Sequence, residues 1–297
     1  MVLHYIMVMY MKIKTLILLL IFGFIGKAQN LDWLLLSTYS ITFDSAFSVS
    51  GQMVYPYYAD FKRDDGSKLY VLNWSDQYVY QYTNSIPWIT GNTVTTYSNK
   101  RFSLGVKDAQ NTAFKLTSDA DTLFSVGMGN DKIYSYSNST PVDIGNMSYI
   151  TSLSIGSQAT IPLGIETNLT GTKVLILDNA TDSIFQYTLP TGWNLLNGSY
   201  DYISLYVGNQ DTHPVGLAYC LNGTELHIIG TATDKEYIYN CPTPYNISGA
   251  YYSGSAYSSF AIEQDTSAVS IHFKTDWNKM WIPGYQHSSI YQYSILR

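Results

Sequence analysis

The sequence predicts an all-β fold class, a closed ring of five repeated units of four antiparallel strands. Three observations carry that expectation. A spacing recurs five times, the composition favours strands, and the last repeat lacks a strand that the other end of the chain supplies. Gly66 to Tyr82 is 16 residues and Tyr82 to Trp88 is 6. Ala120, Tyr136 and Val142 keep the same two intervals, as do Gly171, Tyr187 and Trp193, and Gly223, Tyr239 and Tyr245. The fifth copy has Trp277 and Tyr293, after which the chain runs out at Arg297. Joining Arg297 to Asp32, in Leu31-Asp32-Trp33, restores the interval of 6.

The composition agrees. The 297 residues include 28 Tyr, and only 13% are charged, a mixture of aromatic and small polar residues that suits strands and tight turns. Apolar residues at 46% are enough for a substantial core. The net charge of −6 offers no basic face for nucleic acid and no polybasic patch for anionic lipid.

In chain order, residues 1–28 form a separate segment. Lys12 and Lys14 precede the apolar run Leu16 to Ile25, and Gly26-Lys27-Ala28 follows, which is the order of a secretory signal, with Met11 as an alternative start. The competing reading is a retained anchor, since roughly 20 apolar residues span a bilayer. Residues 29–297 are read as the repeat domain. Gln29 to Gln52 is the outer strand that closes the ring. Repeat one runs from about Met53 to Leu104, two from Gly105 to Ser157, three from Gln158 to Gln210 and four from Asp211 to Ser259. Phe260 to Arg297 is the incomplete fifth.

Each repeat holds four candidate strands. Strand A precedes the Gly position, as in Pro214 to Tyr219. Strand B follows that turn, as in Leu69 to Leu72. Strand C ends in aromatic-x-Tyr, as in Tyr80-Gln81-Tyr82 and Tyr291-Gln292-Tyr293. Strand D follows a Pro-Trp-like corner. Four short strands per unit of about 50 residues, repeated radially, make a β-propeller blade. Five units give a five-bladed β-propeller, its last blade completed by the N-terminal strand. Pairing first strand with last removes the seam at which a ring would open.

The pattern Pro-x-Gly, Asn/Asp-Gly-x-x-Leu, Asp-x-Ile-Tyr-x-Tyr and Pro-Trp resembles the degenerate β-propeller repeats of secreted bacterial and phage proteins, broadly the YVTN and NHL-like groups. The resemblance covers residues 31–297 and implies the fold. Its motifs hold no catalytic residue, so it assigns no role to any position. Five-bladed propellers as a class include sugar-binding lectins and furanoside hydrolases, an analogy of fold alone.

Spacing also suggests where a site would lie. All length variation falls between the corner residue and the next Gly position, at 33, 32, 29, 30 and 32 residues. That interval holds the D–A crossover, and variable loops on a fixed scaffold commonly carry binding. The candidate ligand-binding residues there are Tyr55, Tyr57 and Tyr58, then Asp108 and Gln110, Gln158, Asp211 and His213, and Gln264 and Asp265. The B–C turns on the same rim add Asp76, Asp131, Asp182 and Asp234, with His287 at the fifth. Asp in a tight turn also caps its own backbone, which is the structural reading of those four.

A second constellation lies on strand A: Asp60, Lys115, Glu166, Ala218 and His272, flanked by apolar residues. It reads as an ion network between blades near the axis. Asp60, Glu166 and His272 are the candidate catalytic residues if the channel is an active site, by the two-carboxylate logic of glycoside hydrolysis. Nucleophile-elbow, paired-His metal and phosphate-loop motifs are missing from the sequence. Cys220 and Cys241 fall on strands separated by a third, beyond usual disulfide reach; a bridge and two buried thiols both remain open. No cofactor or metal is called for, calcium being the one ion to test against the acidic rim. The leading expectation is a secreted, non-catalytic binding or scaffold propeller at the cell exterior, with a glycan or an extracellular protein as partner and no membrane contact after signal cleavage. The alternatives are an extracellular carbohydrate-active hydrolase or lyase, and a structural component of a cell surface or viral particle.

Overall fold

Five sheets of four antiparallel strands make up the computed structural model, which describes residues 40–140, 142–258, 264, 265 and 267–296. Residues 1–39, which include the segment read as a secretory signal and Leu31-Asp32-Trp33, lie outside the described residues. Blade one is β2 (Pro56–Phe61), β3 (Lys68–Asn73), β4 (Tyr78–Asn84) and β5 (Thr95–Ser103). Blade two is β6 (Asn111–Leu116), β7 (Thr122–Gly127), β8 (Lys132–Asn138) and β9 (Met147–Ser154). Blade three is β10 (Pro162–Thr167), β11 (Lys173–Asp178), β12 (Ser183–Thr188) and β13 (Ser199–Tyr206). Blade four is β14 (Pro214–Cys220), β15 (Glu225–Gly230), β16 (Lys235–Asn240) and β17 (Tyr251–Ser258). Blade five is β18 (His272–Phe273), β19 (Lys279–Gly284) and β20 (Ser289–Leu296), with β1 (Ser40–Ser48) as its outer strand. The ring therefore closes as the spacing predicts, β1 pairing with β20 from Ser40 opposite Leu296 to Ser48 opposite Ser289.

The inner A strands pack on one another around the axis, and each blade's B strand is buried on both faces. That double burial explains why these strands read as continuous apolar runs rather than alternations. The outer D strands carry the exposed, polar alternation, as in β13 and β9.

The invariant spacing has a mechanical cause. The A–B turn needs a left-handed residue, taken by Gly66, Ala120, Gly171, Gly223 and Trp277, each with φ between 62° and 82°. The corner residue six beyond the Tyr covers that turn. A Cβ on Gly66 would lie 2.3 Å from the Trp88 ring, and one on Gly171 would meet Trp193 at the same distance. The corners Trp88, Val142, Trp193 and Tyr245 are themselves left-handed, so the pair forms a repeated lock.

Candidate functional site

The polar positions of strand A share one register. Asp60, Lys115, Glu166, Ala218 and His272 lie opposite Tyr70, Phe124, Leu175, His227 and Trp281 of their B strands. Lys115 Nζ stands 3.0 Å from Glu166 Oε2 and 3.8 Å from Asp60 Oδ1. His272 Nδ1 lies 2.9 Å from Asp60 Oδ1. The backbone N–H of Leu116 donates to Asp60 Oδ2 at 3.0 Å, and that of Thr167 donates to Glu166 Oε1 at 2.8 Å. Alternation along strand A delivers these side chains to the axis.

Arg63 joins the group and was not singled out from sequence. It reaches in from the A–B turn of blade one, placing Nη2 3.4 Å from Glu166 Oε1 and Nε 3.9 Å from Asp60 Oδ1. The signal was present, because blade one has one residue more than the other blades between its strand A polar position and its Gly.

The two carboxylates differ. Burial alone would raise Asp60, but the charges of Arg63 and His272 hold it below the ordinary carboxylate range. Burial dominates at Glu166 and pushes it up to about 7 against the pull of Arg63. Desolvation disfavours a charge unless partners compensate, and Asp60 has the better set.

Ala218 is the exception in this ring. Its small side chain leaves a pocket of about 30 Å³ above Lys115, Glu166 and His272. The wall is formed by Tyr219, Tyr245, Phe273 and Trp277, and the exposed Leu169 and Thr275 stand at the mouth. The opening is on the rim of the A–B turns. Arg63, Thr167, Tyr219, Tyr245 and His272 line it, and each has one buried side-chain atom (Nε, Oγ1, Oη, Oη and Nε2) without a hydrogen-bond partner. They are five of the twelve such side-chain atoms among the described residues. Buried polar groups are nearly always satisfied, so their convergence on one pocket calls for an occupant. Trp277 adds strain. It holds φ 62° where three sister blades use glycine and one alanine. A bulky side chain in that conformation is an outlier of the kind that clusters at ligand sites.

The opposite rim, formed by the D–A crossovers, is organised differently. Asp108, Asp211 and Asp265 are buried. Asp211 Oδ1 accepts from the N–H of His213 at 2.7 Å, and its Oδ2 accepts from the N–H of Thr233 at 2.9 Å. Asp108 and Asp265 clamp their own B–C turns in the same way. Gln158 and Gln264 accept from the strand C hydroxyls of Tyr187 and Tyr293, at 3.2 Å each. Tyr58 is buried and donates to Ile165 O at 3.1 Å. Gln110 and His213 are exposed, and His213 Nδ1 lies 2.8 Å from Thr231 Oγ1. Tyr55 stacks on Tyr285 at 4.7 Å, and Tyr57 leans on Trp74 at 5.1 Å. This rim thus gathers Tyr55 and Tyr57 into one aromatic patch and ties most of its other candidates within their own blades.

The B–C turn residue in the left-handed region is Asp131, Asp182 and Asp234 in three blades, but Gln77 and Ser288 in the others. Asp76 and His287 sit one residue earlier. Cys220 and Cys241 are both buried and not bridged. Among the described residues no helix is long and apolar enough to cross a membrane.

No family model and no curated protein matches the chain. Among solved structures it is similar to the β-propeller domain of Cps50 (Swd1) from Myceliophteria thermophila, with 12% identity, a TM-score of 0.46, and coverage of 80% of this chain and 69% of that one. A protein from Lactobacillus plantarum gives 11% identity and a TM-score of 0.49, over 80% of this chain and 67% of that one. A proposed 6-phosphogluconolactonase from Bacteroides uniformis gives 10% identity and a TM-score of 0.48, over 80% and 66%.

Proposed function

We propose that the chain is a non-catalytic binding propeller that takes a hydroxyl-rich ligand, such as a sugar unit of a glycan, at the mouth of the axial pocket on the A–B rim, with one hydroxyl group entering the pocket. The observation that carries this reading is that five of the residues lining that pocket each hold a buried polar atom without a hydrogen-bond partner. Two tyrosine hydroxyls, a threonine hydroxyl, an imidazole nitrogen and a guanidinium N–H are a set suited to sugar hydroxyls, and Trp277 and Tyr245 offer ring faces for stacking. Lys115 and Arg63 between Asp60 and Glu166 make the ring beneath a compensated ion network, which supports a scaffold role for those charges. With the export segment expected from sequence, the natural place for such a module is the cell exterior, as a secreted repeat protein of the YVTN or NHL-like style.

The test is glycan-array binding by the purified chain, with and without calcium. The reading expects a specific hit that Tyr245→Phe and Trp277→Gly abolish and Tyr57→Ala leaves intact. Loss in Tyr57→Ala alone would move the site to the aromatic patch on the D–A rim. A blank array would count against a glycan ligand.

One observation favours hydrolysis as a second reading. Asp60 held low beside Glu166 raised to about 7 is the split that acid and base roles need. His272 lines the pocket, is oriented by Asp60 at Nδ1, and has a buried Nε2 without a hydrogen-bond partner. Turnover of an oligosaccharide that Glu166→Gln eliminates would establish it.

A further inference from the structure

Blade four departs from its sisters on the sheet face turned toward blade five. The third residue of strand B is Tyr70, Phe124, Leu175 or Trp281 in the other blades, and His227 here. The strand C residue diagonal to it is Val79, Ile133, Ile184 or Ile290 elsewhere, and Glu236 here. The first residue of strand B is Lys or Thr elsewhere, and Glu225 here. Opposite Glu225 lies Cys220. Three changes of chemical character thus fall on neighbouring positions beside Cys220 on one face. A His–Glu pair in a slot that four blades fill with hydrocarbon is costly to bury, and nothing in the propeller's architecture requires it.

We propose that Cys220 Sγ, Glu225 and His227 hold a zinc ion in blade four. Their donor atoms lie within 4.8 Å of one another. His227 Nε2 and Glu225 Oε2 are 3.4 Å apart, long for a direct hydrogen bond and close to the edge of roughly 3.5 Å that bond lengths of 2.0–2.3 Å give a tetrahedral site. His227 Nδ1 is held by Glu236 at 2.5 Å. A carboxylate on the far nitrogen fixes the ring and leaves Nε2 as the donor, the usual support of a metal-bound histidine. Phe273 of blade five packs edge-on against the imidazole at 4.7 Å and limits its rotation. A thiolate with imidazole and carboxylate suits zinc and disfavours calcium or magnesium, which take oxygen ligands. Three protein donors leave the fourth position to water. Cys241 lies on the opposite, blade-three face with Leu226 and Tyr239, outside the donor set. None of the three donor residues lines the axial pocket, although Phe273 borders both.

The test uses the reduced full chain and cobalt(II) as a spectroscopic stand-in for zinc. One equivalent of cobalt should develop a thiolate-to-cobalt charge-transfer band that zinc displaces. Cys220→Ala should lose the band and Cys241→Ala should keep it. Glu236→Gln should weaken affinity about 10–100-fold. The double variant His227→Phe, Glu236→Ile installs the pair of blade two; it should fold and bind no metal, and zinc should raise the Tm of the parent but not of this variant. Absence of the band in the folded parent would overturn the proposal. So would a band that survives in Cys220→Ala or in the double variant.

Discussion

The two rims of the ring use polar residues in opposite ways. On the D–A rim, Asp108, Asp211 and Asp265 give both oxygens to backbone N–H groups of their own blade. On the A–B rim, five residues lining the axial pocket each hold a buried polar atom without a hydrogen-bond partner. The buried loop aspartates are committed to their own backbone; Asp182 Oδ1 on that rim also lacks a hydrogen-bond partner, but the A–B rim gathers five such atoms in the residues of one pocket. In a repeat protein, departure from the repeat is the better guide to function.

The D–A clamp itself comes in two forms. Where strand B ends in glycine, at Gly127, Gly230 and Gly284, the loop supplies the aspartate. A Cβ on Gly230 would lie 2.0 Å from Asp211 Cγ, so glycine is required there. Where strand B ends in Asp178, that carboxylate accepts from the loop N–H groups of Thr160 and Ile161, and the loop position is the buried Ala159. Asn73 plays the same part in blade one, with Met53 in the loop. One acceptor serves each blade, from either side.

The largest expected effect concerns the axis. Lys115→Met leaves Glu166 with the more distant Arg63 and Asp60 with Arg63 and His272, and should cost about 3–5 kcal/mol in denaturant unfolding, the scale for breaking a buried ion pair. A change below about 1 kcal/mol would show that the ring is not structural. Next, Asp211→Ala strands the N–H groups of His213, Ala232 and Thr233 and should cost about 3 kcal/mol. Adding Gly230→Asp recreates the blade-three arrangement and should recover part of that loss. No recovery would break the equivalence of the two clamps.

A smaller effect tests the pocket floor through pH. Glu166 is raised from 4.5 to about 7, so its contribution is complete below about pH 4.5 and is lost as pH rises through 7. Asp60 is lowered, so its contribution is present above about pH 4 and lost on acidification. Between pH 4.5 and 7 the parent should therefore lose stability by at most the order of 1 kcal/mol per pH unit, a slope that Glu166→Gln removes. Thermal melts across that range decide it. Smallest of all, Trp277→Gly should change stability by less than about 1 kcal/mol, because relief of the left-handed strain offsets lost packing, while ligand binding disappears.

The ring was legible because its turn lock repeats at fixed intervals, and a left-handed turn under an aromatic corner tolerates no insertion. The strand A polar positions were legible from alternation against apolar neighbours such as Phe114 and Leu116. Burial of Asp108, Asp211 and Asp265 was not, since turn composition does not tell a solvent-facing carboxylate from one folded under its own loop. Arg63 was hidden because a turn residue's direction depends on the blades around it. His227 and Glu236 were not legible because they keep the spacing of the repeat and change only the side chain that fills each slot.

Closure by β1 has a consequence for how the molecule is made. Ser294 donates to Asp44, 250 residues away along the chain. Chains emerge N-terminus first at about 5–20 residues per second and fold domain parts as they appear. The strand that completes the ring thus leaves the ribosome before the other described strands of the propeller and is the last of them to find its partner. Until β20 arrives, Phe43, Phe47 and the free edge of β1 are a ready pairing template, for this nascent chain or for another copy beside it.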